Sequence, residues 1–185
     1  MKKVLFIDRD GTLILETDDC KIEQFEKLIF YPQIFYWLGK IARELDYELV
    51  MVTNQDGLGN EDFSEEDFNV VQNFILQTFE GELIHFSDVH IDKSFPHENL
   101  PTRKPGIGML TRYFSDQYDL KNSFVVGDRI TDVMMAKNLG CKCFWLNNGS
   151  NLGSDEISET RDTLKDYIAV ESLEWERFYT YLKSI

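Results

Sequence analysis

Apolar and polar positions along this chain follow two different periods. Five short apolar runs stand out: Val4 to Ile7, "ELVMVT" ending at Thr53, "DVHID" ending at Asp92, "FVVGD" ending at Asp128, and "CFWL" just before Asn147. Their brevity, their β-branched content and their polar ends predict buried strands rather than helices. Between them the apolar positions recur at helical spacing. Ile34, Leu38, Ile41 and Leu45 share one face, as do Phe68, Val71, Ile75 and Phe79. Ser64, with Asp67 three residues on, marks the start of the second helix. Alternating strands and helices predict an α/β chain whose mostly parallel sheet is covered by helices on both faces.

The first run stops abruptly, in "KKVLFIDRDGTLI", at two aspartates one residue apart. An Asp can close a turn by bonding local amides, which accounts for one aspartate better than for two. Alternation along a strand would point Asp8 and Asp10 the same way and Arg9 elsewhere. Two carboxylates on one side repel unless a cation or a proton lies between them. In open parallel sheets, ligands bind beyond the carboxyl ends of the strands where strand order reverses. Three strand ends carry polar residues suited to such a crevice: Asp8 and Asp10, then Thr53-Asn54-Gln55, then Gly127-Asp128-Arg129.

Magnesium is the cation this pattern suits, since it is a hard ion held by one or two carboxylates with water and phosphate oxygens completing its shell. Asp8, the main-chain carbonyl of Asp10, and Asp128 are the candidate ligands. A phosphate is then the expected partner. Gly11 lets the backbone approach an anion and, with Thr12, presents amides to it. Thr53 offers a hydroxyl and Asn54 a side-chain amide. Lys104 lies in "TRKP", where Pro105 discourages a helix. It reads either as a solvated charge or as the cation that neutralises a phosphoryl oxygen and a carboxylate. Asp132 falls at a helix start, where it can cap, orient metal-bound water, or hold Lys104.

Composition narrows the function classes. With 185 residues the chain suits one core, here taken as residues 1–150. Residues 151–185 form an acidic segment ending in a helix, whose stripe of Trp175, Phe178, Tyr179 and Leu182 packs on the chain's own core or docks on a further domain. A formal net charge of −14 argues against nucleic acid or an anionic membrane as partner. No apolar stretch approaches a membrane span or a signal-peptide core, so cytoplasmic residence is the default expectation. Cys20, Cys141 and Cys143 are odd in number and lack a second Cys or His pair at ligand spacing, so buried, inert thiols are expected. The polar stretch Asn147 to Thr160 is the candidate for disorder.

The motifs "DRDGT", "VTN", "RKP" and "GDRITD", in this order between Val4 and about Leu146, resemble those of the haloacid dehalogenase-like phosphatases. The resemblance implies a Rossmann-like three-layer sandwich. It implies Asp8 as nucleophile, forming an aspartyl-phosphate, and Asp10 as the acid that protonates the leaving alkoxide and later activates water. Thr53 and Lys104 would hold the phosphoryl oxygens beside Mg²⁺. The short spacings from Asp10 to Thr53 and from Thr53 to Lys104 leave no room for a separate cap domain.

Within that family, "LFIDRDGTLI" and "VMVTNQDGLG" look like the histidinol-phosphate phosphatase domain of histidine biosynthesis, often fused ahead of an imidazoleglycerol-phosphate dehydratase domain. Asp56 in "TNQDGLG" is the most telling residue, because related sugar-phosphate phosphatases usually carry a small one there. The substrate so implied is a small phosphate ester bearing an amine. Glu16 and Asp56 are placed to meet that positive charge, and Arg103 or Gln55 to contact the phosphate; Glu16 also reads as a solvated acid. Several relatives bind zinc through Cys and His in the loop before Arg-Lys-Pro, whereas "DKSFPHENLPT" has His97 alone, so no structural zinc is expected. The alternatives are a heptose bisphosphate phosphatase and, from another class, a phosphoacceptor signalling domain, which would lack the second aspartate's role in turnover.

Overall fold

The computed structural model describes every residue from Met1 to Ile185. Along the chain run β1 (Lys3–Ile7), α1 (Ile34–Glu44), β2 (Tyr47–Asn54), α2 (Glu65–Gly81), β3 (Phe86–Asp92), β4 (Phe124–Gly127), α3 (Ile130–Leu139), β5 (Lys142–Trp145), α4 (Arg161–Leu164), β6 (Ile168–Glu171) and α5 (Trp175–Ser184). The six strands form one sheet in the order β3-β2-β1-β4-β5-β6. All neighbours are parallel. The chain builds outward from β1 to β3, returns to the centre, and builds the other way from β4 to β6. Strand order therefore reverses between β1 and β4.

Period-two alternation assigns the two faces. Leu5 and Ile7 of β1 pack with Leu38 and Ile41 of α1, Ile75 and Phe79 of α2, and Phe178 of α5. Val4 and Phe6 point the other way, toward Val133 and Ala136 of α3 and Leu110 and Tyr113 of a 3-10 turn (Gly108–Tyr113). Both expected helical faces are buried as read, with Leu45 just past the end of α1. The Ser64 side chain accepts from the Asp67 amide (3.3 Å), as the capping pattern predicts. No helix is long and apolar enough to cross a membrane.

Two expectations need correction. The stretch after residue 150 is more than a surface segment with a helix, because β6 extends the sheet by pairing with β5. Its four residues, "IAVE", lie at the sheet edge and are only half-buried, so they carry neither a continuous apolar run nor a clean alternation. Among the cysteines, Cys141 and Cys143 are buried, and burial pushes the Cys141 thiol up to about 12. Cys20 is exposed, in a left-handed turn with φ 54°.

The terminal apolar stripe packs on the chain's own core. Phe178 stacks on Phe144 of β5 (ring centroids 5.1 Å apart, planes within 7°), and Tyr179 donates its hydroxyl to Glu44 at the end of α1 (2.5 Å). Trp175 is almost fully enclosed, and its indole N–H donates to the Thr12 carbonyl (3.2 Å), which ties the last helix to the loop after β1. Trp175→Ala is expected to lower stability by about 3–5 kcal/mol in urea unfolding. Trp175→Phe, which keeps most of the packing and loses the hydrogen bond, should cost about 1 kcal/mol more than simple volume loss. A near-neutral Trp175→Ala would contradict this packing.

Candidate active site

Asp8 leaves the end of β1 and Asp128 the end of β4, so the strand-order reversal brings their carboxylates together. The Asp8 amide donates to the Val126 carbonyl (2.8 Å), which carries the parallel ladder one residue past the strand. Ligand atoms of Asp8, Asp128 and Asp132 lie within 4.8 Å of one another. The approach is close enough to exclude side chains nearby. A Cβ at Gly11, where φ is +71°, would stand 2.2 Å from Asp128 Oδ2, and one at Gly127 would stand 2.2 Å from Asp132 Cγ. The anion that Gly11 lets approach the backbone is here the chain's own Asp128.

One cation touches this cluster directly, while Arg129 acts on it from farther off. Lys104 Nζ lies 2.7 Å from Asp8 Oδ1 and 2.9 Å from Asp132 Oδ1. Burial alone would lower its pKa, but Asp132 and then Asp8 outweigh burial and raise it, so the ammonium stays charged. Asp132 does two of the three things its position allowed: it holds Lys104, and its Oδ2 accepts from the Arg129 amide (3.1 Å) at the start of α3. Burial pushes the Asp8 carboxyl up to about 7, with Lys104 opposing and Asp132 adding to the rise. Asp128 is also raised well above the usual carboxylate range, by burial first and then by Asp8 and Asp132. Both Asp128 oxygens are enclosed and accept no hydrogen bond from the protein.

Asp10 has a different partner. Strand alternation would turn Arg9 away from the two aspartates, but β1 ends at Ile7 and the chain turns, with the Leu13 and Ile14 amides donating to the Arg9 carbonyl. Arg9 Nη1 thereby reaches both Asp10 oxygens (2.8 and 3.1 Å). The guanidinium has no solvent exposure; Nε donates to Gln72 (2.9 Å), Nη2 to the Ile22 carbonyl (3.2 Å), and its carbon sits 4.7 Å from the centre of the Phe68 ring. Every Arg9 nitrogen is thus engaged, one of them on Gln72 of α2.

Asp8, Asp10, Thr53, Asn54 and Lys104 line a common cavity of about 340 Å³, together with Glu16 and Asp56. Several expected contacts resolve differently. Asn54, expected as an amide donor to phosphate, instead donates from Nδ2 to the Lys104 carbonyl (3.1 Å) and accepts at Oδ1 from the Lys104 amide (3.0 Å). It clamps the main chain that carries the lysine. Gln55 turns inward and donates to Asp10 Oδ2 (2.5 Å) and Thr53 Oγ1 (2.8 Å) rather than facing a ligand. Thr12 is fully enclosed, and its hydroxyl has no partner; the amides of Gly11 and Thr12 make no backbone hydrogen bond.

Arg103 was expected at the phosphate and lies instead beneath the rim. Nη1 meets Asp56 (2.5 Å) and the Ser94 carbonyl (2.7 Å), while Nε and Nη2 grip Glu156 (2.9 and 3.0 Å). One buried guanidinium thus ties three loops together, and neither Asp56 nor Glu156 stands free. Glu16 forms an ion pair with Arg129. The loop before Lys104 is further held by Asp92, which accepts from the Ser94 amide (2.9 Å) and from Thr102 (2.5 Å). The Asn147 to Thr160 stretch, read as the candidate for disorder, supplies Leu152, Gly153, Asp155 and Glu156 to the cavity wall. Arg129, named with its strand end, lines the cavity, whereas Arg9, Gln72 and Glu156 are partners that sequence reasoning missed; an arginine between two aspartates was the one available signal.

A haloacid dehalogenase-like hydrolase family model matches residues 101–174. The histidine biosynthesis bifunctional protein HisB of Spirosoma linguale is 48% identical over 187 residues, covering 99% of this chain and 49% of that protein. The HisB of Bacteroides fragilis is 49% identical over 183 residues, covering 98% of this chain and 47% of that protein. The chain thus spans about half the length of these curated relatives. In fold it is similar to the D,D-heptose 1,7-bisphosphate phosphatase of B. bronchiseptica, solved with magnesium and phosphate, with a TM-score of 0.79 at 20% identity over 100% of this chain and 99% of that one. With the six-stranded parallel sheet and nearly the whole chain aligned to such relatives, the chain belongs to the haloacid dehalogenase-like phosphatases.

Proposed function

We propose that the chain hydrolyses L-histidinol phosphate to L-histidinol and phosphate, with magnesium, through a phosphorylated Asp8. The observation that carries the chemistry is Asp128, a buried carboxylate with neither oxygen hydrogen-bonded, beside two more carboxylates that share one lysine. A fully ionised trio with a single cation is unstable in a buried site, so a divalent cation fits where a proton otherwise would. Asp8, the Asp10 carbonyl and Asp128 would hold it. When bound, it would offset the negative charge of the phosphoryl oxygens.

The residues of the chain divide the remaining work. Asp8 Oδ1 is occupied by the Arg9 amide (2.7 Å) and Lys104, which leaves Oδ2 as the oxygen available to attack phosphorus in line. The Oδ2–phosphorus bond forms as the bond to the alkoxide breaks, and Asp10 gives its proton to that alkoxide. Asp10 then takes a proton from the water that attacks the aspartyl-phosphate, releasing phosphate and restoring both carboxyls. Arg9 and Gln55 fix the Asp10 carboxyl in place for both transfers. Thr53 and Lys104 line the cavity where the phosphoryl oxygens would lie, and the Asn54 clamp keeps Lys104 there.

The two HisB relatives support the substrate, and the acid-rich cavity suits an ester whose other end is cationic. The other half of such bifunctional proteins, read from the sequence resemblance as an imidazoleglycerol-phosphate dehydratase domain, is a candidate partner by fusion or association.

Two outcomes follow. Asp8→Asn should lower phosphate release from histidinol phosphate about a thousandfold or more, read in a Mg²⁺-dependent phosphate assay beside a heptose bisphosphate. A preference for the sugar would replace the substrate and keep the chemistry. The second concerns pH. A carboxyl raised in the folded state contributes stability that is present below its unfolded pKa, near 3.8, and lost as pH rises through about 7. In chelator, the melting temperature should fall from about pH 5 to about pH 8, and Mg²⁺ should restore it chiefly at the higher pH. Asp128→Asn should raise the chelator melting temperature at the higher pH and remove the Mg²⁺ response; an equal Mg²⁺ effect at both pH values would count against the metal site.

A further inference from the structure

The acids around the cavity differ in what already neutralises them. Asp8 faces Lys104 and Asp10 faces Arg9. Glu16 pairs with Arg129, and Asp19 with Lys27 (2.6 Å). Asp56 and Glu156 share Arg103. Asp155 lines the same cavity, is exposed to solvent, and takes part in no ion pair or side-chain hydrogen bond of the chain. It is the one rim carboxylate whose charge the protein leaves uncompensated.

Its position is nonetheless defined. The next residue, Glu156, is gripped by two nitrogens of Arg103, a guanidinium that is itself 5% exposed. Two residues earlier, Gly153 adopts φ +76° against the start of α3, where a Cβ would come within 3.1 Å of Thr131 Cγ2. The Glu156 amide donates back to the Gly153 carbonyl (3.2 Å), closing a turn around Asp155. A turn anchored at both ends carries the free carboxylate at the mouth, while Lys104 and Thr53 lie at the phosphoryl end of the same cavity.

We propose that Asp155 is the residue that selects substrates with a positive charge on the alcohol side of the phosphate ester, its carboxylate meeting the ammonium group. This rests on the phosphatase reading above and deepens it. It also moves the amine contact away from Glu16 and Asp56, which Arg129 and Arg103 already neutralise. A further cation at either of those acids would have to displace an existing pair, whereas at Asp155 it displaces only water. The contact is partly solvated, so its contribution is modest and weakens with salt.

The test compares histidinol phosphate with its N-acetyl derivative, which is the same ester without the cation, using wild type, Asp155→Asn and Asp155→Glu with Mg²⁺. The wild type should show a lower KM for the amine. Asp155→Asn should raise the KM for the amine ester about fivefold and bring the KM ratio of the two esters toward one, with kcat moving much less. Asp155→Glu should keep the preference, and added salt should narrow the gap between wild type and Asp155→Asn. An equal KM change on both esters, or an unchanged ratio, overturns the proposal while histidinol phosphate turnover leaves the function standing. Turnover of p-nitrophenyl phosphate without turnover of histidinol phosphate by the wild type overturns the substrate reading and this assignment together.

Discussion

Three buried carboxylates, Asp8, Asp128 and Asp132, crowd around a single buried ammonium, Lys104, and the rest of the site is arranged around that imbalance. Charges of one sign in a poorly solvated place repel strongly, and the ordinary remedies are protonation, an ion pair or a metal. Asp132 is settled by the ion pair and by capping α3. Asp8 shares the same lysine and remains partly unsettled. Asp128 accepts no hydrogen bond from the protein, and only the more distant Arg129 offsets its charge. That gradient runs from a satisfied carboxylate to an orphaned one.

The fold makes the imbalance possible through one topological feature. Because strand order reverses between β1 and β4, the two adjacent central strands end side by side, and the next loops diverge over opposite faces. Glycine at positions 11 and 127 lets the carboxylates approach more closely than any side chain there would allow. Around this centre, three arginines do separate jobs. Arg9 fixes Asp10 from behind, Arg103 joins the loops at Ser94, Asp56 and Glu156, and Arg129 answers Glu16. A chain with a net charge of −14 thereby neutralises the acids nearest its central cavity. Each arginine neutralises an acid that would otherwise face the cavity unpaired.

The centre of the site was legible in the sequence because it violates the local pattern. An apolar strand has no reason to end in paired aspartates, and Thr53 and Asp128 stand at strand ends that the same rule points to one crevice, while Lys104, on a loop, is placed there by the motif resemblance. What was not legible depended on side-chain direction after the strand ends. The alternation rule holds only while the backbone is extended, so it misplaced Arg9 as soon as β1 stopped at Ile7. Polar residues flanking the motifs were given to the ligand when their own neighbours were nearer: Asn54 bonds the Lys104 backbone, Gln55 bonds Asp10, and Arg103 bonds two acids. Long-range partners 47 and 53 residues away in the chain leave no local signature. β6 escaped notice for a related reason, since a half-buried edge strand of four residues has too little pattern to announce itself.

The central claim is that the carboxylates at Asp8 and Asp128 share protons until a divalent cation replaces them. Calorimetric titration of the metal-free protein with Mg²⁺, in buffers of different ionisation enthalpy near pH 7, measures that exchange directly. One Mg²⁺ per chain is expected to bind with release of protons, and both the binding and the release should vanish in Asp128→Asn. Binding heat that is the same in every buffer, or binding that survives the substitution, would contradict the account.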